Sequence, residues 1–258
     1  MTRPGIDGVL LDIGGVLMEG DAPLPGSVAA VDRLTQAGVP FGLITNTTRV
    51  CSSRLLQRLR QMGFELDEAR LFTPARLVRG QLARRGLRPF LLVHPDLMPD
   101  FSGLDTQAPN AVVLGDAGPA FTYERLNAAF RLLRAGAPLL SLGDSRFFRD
   151  ADGLLSLDIA PFARLLESAA DVRAEVFGKP APRFFLGALQ ALGVAPSHAL
   201  MVGDDVDSDV LGALALGMHG ALVRSGKFHP GDEARLSGRD ARVYDTLALV
   251  VDSLLEGN

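Results

Sequence analysis

The stretch VLLDIGGVL, residues 9–17, decides how this chain is read. Three apolar residues run without a polar break into a single carboxylate, Asp12, and then into Gly14 and Gly15. A strand buried on both faces reads as a continuous apolar run, not as an alternation. Similar runs recur along the chain: FGLITN ends at Thr45 and Asn46, AEVFGKP at Lys179, and ALMVGDDVDSD at Asp204 to Asp209. Between them lie helical patterns, such as Arg49–Met62 with Leu55, Leu56, Leu59 and Met62 on one face. Strands alternating with helices imply βαβ units and a mostly parallel α/β sheet.

In an open parallel sheet, ligands bind beyond the carboxyl ends of the strands. The four polar tips therefore converge on one crevice, if the strands are neighbours. Each tip has a plainer explanation by itself: an Asx turn at Asp12, a helix cap at Thr45–Asn46, a surface turn at Gly178–Pro180. The run GDDVDSD places four carboxylates in six residues, from Asp204 to Asp209. A calcium loop of the EF-hand type would close with a bidentate Glu, which the run lacks. Taken together, Asp12 and Asp204 offer oxygen ligands to Mg²⁺, a hard cation. Thr45, the Asn46 amide and Lys179 offer donors to phosphoryl oxygens, and a helix starting just after Thr48 would add positive potential there. A carboxylate oxygen of Asp12 is placed to attack phosphorus. Asp209 is the candidate for orienting Lys179 or a water on the metal. Asp205, next to Asp204, points the other way on extended backbone and reads as a turn or helix cap.

Composition narrows the class. The chain has 258 residues, 47% hydrophobic, with a formal net charge of −4. That balance argues against a nucleic-acid or membrane-surface partner. One cysteine, Cys51, permits no internal disulfide, and no apolar run approaches the ~18 residues of a membrane span; a cytoplasmic protein is expected. Among 26 basic residues only Lys179 and Lys227 are lysines. In a chain that otherwise uses arginine, Lys179 suggests a need for a compact point charge. The arginine-rich segment 49–88 reads either as solvated helix faces or as a positive rim that draws anions. His94, His198, His219 and His229 show no metal-ligand spacing.

In order and spacing, Asp12, Thr45, Lys179 and Asp204, with Asp209 closing the last group, resemble the four motifs of the haloacid dehalogenase superfamily of phosphotransferases. The interval between the second and third motifs resembles the branch with an inserted α/β cap of C2 type. The implied organisation is a Rossmann-like catalytic core at 1–86 and 178–258, with a cap at 87–177. The stretches LLDIGGVL, RPFLLVHPDL, FTYERLNAAFRLL, GDDVDSDVLGA and VRSGKFHPGDE resemble the branch of phospholysine, phosphohistidine and inorganic pyrophosphate phosphatases. The resemblance implies Mg²⁺ bound by Asp12, Asp204 and the Gly14 carbonyl, an aspartyl-phosphate on Asp12, a small phosphorylated substrate chosen by a cap loop near 143–161, and a homodimer as the assembly to test.

Gly14 occupies the slot where most of the superfamily carries a general acid. General acid help is worth typically 10²–10⁴-fold, roughly 3–5 kcal/mol of barrier. Without it, bonds whose leaving group departs readily are favoured: pyrophosphate, phosphoramidates and aryl phosphates. Three alternatives stand beside this reading. Gly14 is there for a tight turn with positive φ; the enzyme is a sugar-phosphate or phosphoglycolate-type phosphatase; or the protein is a catalytically weak sensor of phosphorylated ligands.

Overall fold

The structure is a computed structural model that describes residues 5–150 and 152–256. Residues 1–4, with Arg3, residues 257–258, and within the 143–161 stretch Ala151 and the Arg149 side chain, lie outside the described residues. In chain order the elements are β1 Gly8–Asp12, β2 Met18–Glu19, β3 Ala22–Pro23, α1 Ser27–Gln36, β4 Phe41–Ile44, α2 Ser52–Gln61, β5 Leu71–Phe72, α3 Pro74–Arg85, β6 Pro89–Leu92, β7 Ala111–Leu114, α4 Tyr123–Arg134, β8 Leu139–Ser141, β9 Phe147–Arg149, β10 Leu155–Leu157, α5 Ile159–Ala170, β11 Ala174–Val176, α6 Pro182–Leu192, β12 Ala199–Gly203, α7 Gly212–Leu214, β13 His219–Val223, β14 Ala241–Tyr244 and α8 Leu247–Leu255. They fall into two compact units: Met1–Thr45, Leu55–Phe72 and Lys179–Asn258 in one, Asn46–Arg54 and Thr73–Gly178 in the other.

The first unit is built on a six-stranded sheet in the order β14-β13-β12-β1-β4-β5, parallel throughout. All five residues of β1 are buried, as are those of β12. This is why both sequences run apolar instead of alternating. Register fixes the site: Leu11 pairs with Val202 on one side and Asp12 with Ile44 on the other. Asp12, Thr45 and Asp204 therefore leave the carboxyl ends of three adjacent strands.

The second unit carries a parallel sheet in the order β11-β8-β7-β6, with the antiparallel hairpin β9–β10 beside it in sequence. Thr73 caps α3 and Thr122 caps α4 through their hydroxyls, and Pro74 sits at the first position of α3, where no N–H is missed. Helix α3 belongs to this second unit. Ala75, Val78 and Leu82 on its inner face pack in one cluster with Leu92, Val112 and Leu140 of the second sheet. Two expectations shift. The helix read from Arg49 begins at Ser52. The helix expected over 208–216 is present but starts earlier, as a π-helix over Val206–Leu211 in which the Asp209 and Val210 amides both approach the Asp205 carbonyl (3.0 and 3.4 Å), and continues as α7 to Leu214. Among the described residues no helix is long and apolar enough to cross a membrane.

A buried carboxylate braces the second sheet. Glu167, near the end of α5, accepts from the Ala174 amide at the start of β11 (2.8 Å) and from Arg164 (2.8 Å). Burial acts to raise its pKa, but the amide and the guanidinium outweigh it and hold it below the ordinary 4.5. A depressed folded value means that this stability is fully present above about 4.5 and is lost as pH falls through the folded pKa. Glu167→Gln should therefore cost about 1–3 kcal/mol at pH 7. Denaturant unfolding from pH 7 to pH 3 checks this: the gap from wild type should narrow below about pH 4.5, and a pH-independent gap would contradict it.

Candidate active site

Four of the residues singled out from sequence meet in the first unit. The ammonium of Lys179, only 4% exposed, donates to Asp12 Oδ1 at 2.7 Å and pairs with Asp209 Oδ1, also at 2.7 Å. Asp12, Asp204 and Asp209 are all buried, and each brings a carboxylate oxygen within 4.8 Å of the other two. Thr45, buried at the end of β4, follows the residue that pairs with Asp12. Asn46 groups with the second unit, and its Oδ1 lies where a Cβ on Gly178 would come within 2.8 Å.

The charges at this cluster are unequal. Burial pushes the Asp12 carboxyl above its ordinary value against the pull of Lys179, pushes Asp204 up, and pushes Asp209 up to about 6. Burial also opposes the charge on Lys179, but Asp12 and Asp209 together hold its pKa above the ordinary lysine range. Three carboxylates thus face one fully buried cation. Asp204 Oδ2 accepts from the Lys227 amide at 2.7 Å, while its Oδ1 is buried without a hydrogen-bond partner. A buried acceptor left unpaired is costly. Several buried carboxylate oxygens with one unsatisfied make a donor set that suits a hard divalent cation.

Sequence reasoning missed how Asp204 is held. Gly15 and Gly226 both have positive φ (74° and 57°), and a Cβ on either would come within 2.0 Å of Asp204 Oδ2. The carboxylate is clamped between two stretches of bare main chain. The signal was weak: a glycine pair after β1 and SGK after β13, separated by more than 200 residues.

The tight-turn explanation of Gly14 does not hold. The positive φ belongs to Gly15; Gly14 is exposed, and a Cβ built on it meets nothing within 4 Å. Gly14 bridges Met18 through the Gly15 amide to Met18 O (2.9 Å) and the Met18 amide to Ile13 O (3.1 Å), so its own carbonyl is not used in that bridge.

The chain matches the model described as Haloacid dehalogenase-like hydrolase over residues 9–107 and a HAD-hydrolase-like model over 176–250. It is 44% identical over 256 residues to the phospholysine phosphohistidine inorganic pyrophosphate phosphatase of Danio rerio, covering 97% of this chain and 94% of that one. The chain belongs to the haloacid dehalogenase-like hydrolases. The Homo sapiens protein of the same name is 41% identical over 258 residues, with 98% and 95% of the two chains covered. Homo sapiens haloacid dehalogenase-like hydrolase domain-containing protein 2 is 42% identical over 248 residues, covering 96% and 95%. Among solved structures, a 4-nitrophenylphosphatase from Thermotoga maritima superposes with a TM-score of 0.86 at 26% identity, covering 96% of this chain and 97% of that one. The fold is accordingly a Rossmann-like core with an inserted C2-type α/β cap, and the protein is a hydrolase of phosphatase type.

The remaining features singled out from sequence have local partners. At the start of α2 the Ser52 amide is already engaged: it donates to both oxygens of Asp100 (2.9 and 3.1 Å), and its hydroxyl donates to Oδ2 (2.9 Å). The arginines of 49–88 are largely held by local partners. Arg49 meets Asp116 and lies over the Phe148 ring, Arg58 meets Asp21, Arg60 donates to Leu66 O, and Arg85 meets Glu175. Asp205 is a cap, its Oδ1 accepting from the Asp207 and Ser208 amides at 3.0 Å. His94 accepts from the Asp96 amide, and His198 and His219 pair with Asp7 and Asp240.

Gly226→Ala should displace Asp204 and weaken divalent-ion affinity about 10–100-fold, the range for lost support of a ligating carboxylate. Gly20→Ala is the matched control, since Gly20 has the same φ of 57° with nothing within 4 Å of an added Cβ. Mg²⁺ titration followed by thermal unfolding reads the difference; equal ion-induced shifts in both variants would contradict the clamp.

Proposed function

We propose that the protein is a Mg²⁺-dependent phosphohydrolase acting through an aspartyl-phosphate on Asp12, and that it favours bonds with good leaving groups. The observation that carries this is the pairing of a buried carboxylate with a buried lysine at a strand end, beside an acid slot filled by open, unstrained Gly14. Asp12, Asp204 and the Gly14 carbonyl would hold the ion. When bound, Mg²⁺ would offset the excess carboxylate charge and draw negative charge off the phosphoryl oxygens.

Lys179 holds Asp12 Oδ1, which fixes the carboxylate plane and leaves the other oxygen to form the new bond to phosphorus. The bond between phosphorus and the leaving group breaks with its electron pair on the leaving group. The Thr45 hydroxyl, the Asn46 amide and Lys179 take the phosphoryl oxygens. Asp209, through its ion pair with Lys179, keeps that ammonium in place. Water then cleaves the acyl phosphate, releasing inorganic phosphate and restoring Asp12.

Gly14 supplies no proton, so the leaving group departs as an anion. Pyrophosphate, aryl phosphates and phosphoramidates protonated on nitrogen tolerate this; alkyl phosphates do not. The names of the relatives, which join phospholysine, phosphohistidine and pyrophosphate in one group and 4-nitrophenyl phosphate in another, support this choice. A core assigned to the first unit, a cap to the second, and a cytoplasmic site of action suited to a single buried cysteine complete the proposal.

Asp12→Asn should reduce turnover by about 10³-fold or more, as loss of a nucleophile does. A panel of pyrophosphate, imidodiphosphate, p-nitrophenyl phosphate and sugar phosphates with Mg²⁺ tests the bias; faster hydrolysis of the sugar phosphates would overturn it. Tight phosphate binding with negligible turnover on every member would instead favour the sensor. Because Gly14 opens onto free space, Gly14→Asp should fit and raise alkyl-phosphate turnover about 10–100-fold. No gain, with the fold intact, would mean that another group already serves as acid.

A further inference from the structure

Both lysines of this arginine-rich chain stand on the same acidic cluster, and only one has been used so far. Lys227 touches the cluster at both ends. Its amide donates to Asp204 Oδ2 at 2.7 Å, which places its backbone directly behind that carboxylate. Its ammonium lies 3.4 Å from Asp205 Oδ2, at the long end of hydrogen-bond range, and its side chain is 72% exposed. The root is fixed and the tip is loosely tethered.

Lys179 differs in every respect. It is buried and committed to Asp12 and Asp209 at 2.7 Å each. A substrate with two anionic groups gains from a second cation, and Lys227, whose amide holds Asp204 and whose ammonium lies by Asp205, is exposed to solvent.

We infer that Lys227 is a specificity-determining residue that binds the departing anionic group of a diphosphate-like substrate. This rests on the reading of Asp12 as nucleophile. As the bond to phosphorus breaks, its electron pair passes to the bridging oxygen, and the departing phosphate gains one unit of negative charge. Gly14 provides no proton to meet it. The Lys227 ammonium exchanges its weak contact with Asp205 for a charge-assisted hydrogen bond to that phosphate. A compact, rotatable ammonium suits a moving tetrahedral anion. A nitrophenolate, whose charge spreads into its ring, gains far less from such a contact.

Lys227→Met and Lys227→Arg test this, with kcat/KM measured for pyrophosphate and p-nitrophenyl phosphate in Mg²⁺. The main-chain amide that holds Asp204 survives both substitutions. Lys227→Met should lower kcat/KM for pyrophosphate about 10–100-fold, the worth of a hydrogen bond to a charged group. The loss on p-nitrophenyl phosphate should be several-fold smaller, and Lys227→Arg should restore part of the pyrophosphate activity. Calorimetry with methylenediphosphonate, a non-hydrolysable two-phosphoryl probe, should show weaker binding to Lys227→Met, with inorganic phosphate binding little changed. Equal losses on both substrates and both probes would overturn the assignment and leave Lys227 a mere support of Asp204. A wild type that prefers pyrophosphate and a Lys227→Met variant that keeps the preference would remove Lys227 alone. A wild type that hydrolyses p-nitrophenyl phosphate but not pyrophosphate would remove Lys227 and leave the leaving-group reading standing, whereas faster turnover of sugar phosphates than of either would remove both.

Discussion

One ammonium shared by two buried carboxylates holds this site together. Lys179 lies between Asp12 and Asp209, 2.7 Å from each. Removing one partner of a buried ion pair is far more destabilising than leaving both in place. The strand β1, the segment before α6 and the π-helix after β12 are thereby tied to a common point. The fold can keep charges in its interior only because they face one another.

That arrangement leaves a surplus of negative charge, and the surplus is where chemistry enters. Asp204 is pinned on one oxygen by the Lys227 amide and the main chain of Gly15 and Gly226, while its other oxygen is buried without a partner. A protein maintains such a group at a cost in stability, and costs of this kind concentrate at functional sites. The clamp at Asp204 holds Oδ2 through the main chain, and Oδ1 of the same carboxylate is buried.

The strand-end residues were legible in the sequence because physics makes them conspicuous. Asp12 and Asp204 each end an apolar run that reads as a central strand. What escaped depends on contacts distant in sequence. The start of α2 is set by Asp100, 48 positions after Ser52, so periodicity alone carried the helix back to Arg49. The hairpin β9–β10 hid because Leu155 and Leu157 are both 63% exposed, which inverts the usual meaning of an apolar residue. Gly15 and Gly226 looked like ordinary turn glycines, since only the fold brings them together across one carboxylate. Lys227 was visible by the same rarity that drew attention to Lys179, but nothing in its local sequence linked it to Asp204.

The central claim is that phosphorus passes through a covalent bond to Asp12. Rapid-quench mass spectrometry of the wild-type enzyme during pyrophosphate turnover tests it most directly. The account predicts a transient phosphoryl adduct on the peptide that carries Asp12, appearing before inorganic phosphate and decaying as it is released. Steady turnover with no adduct on that peptide, under quench conditions that preserve acyl phosphates, would contradict it.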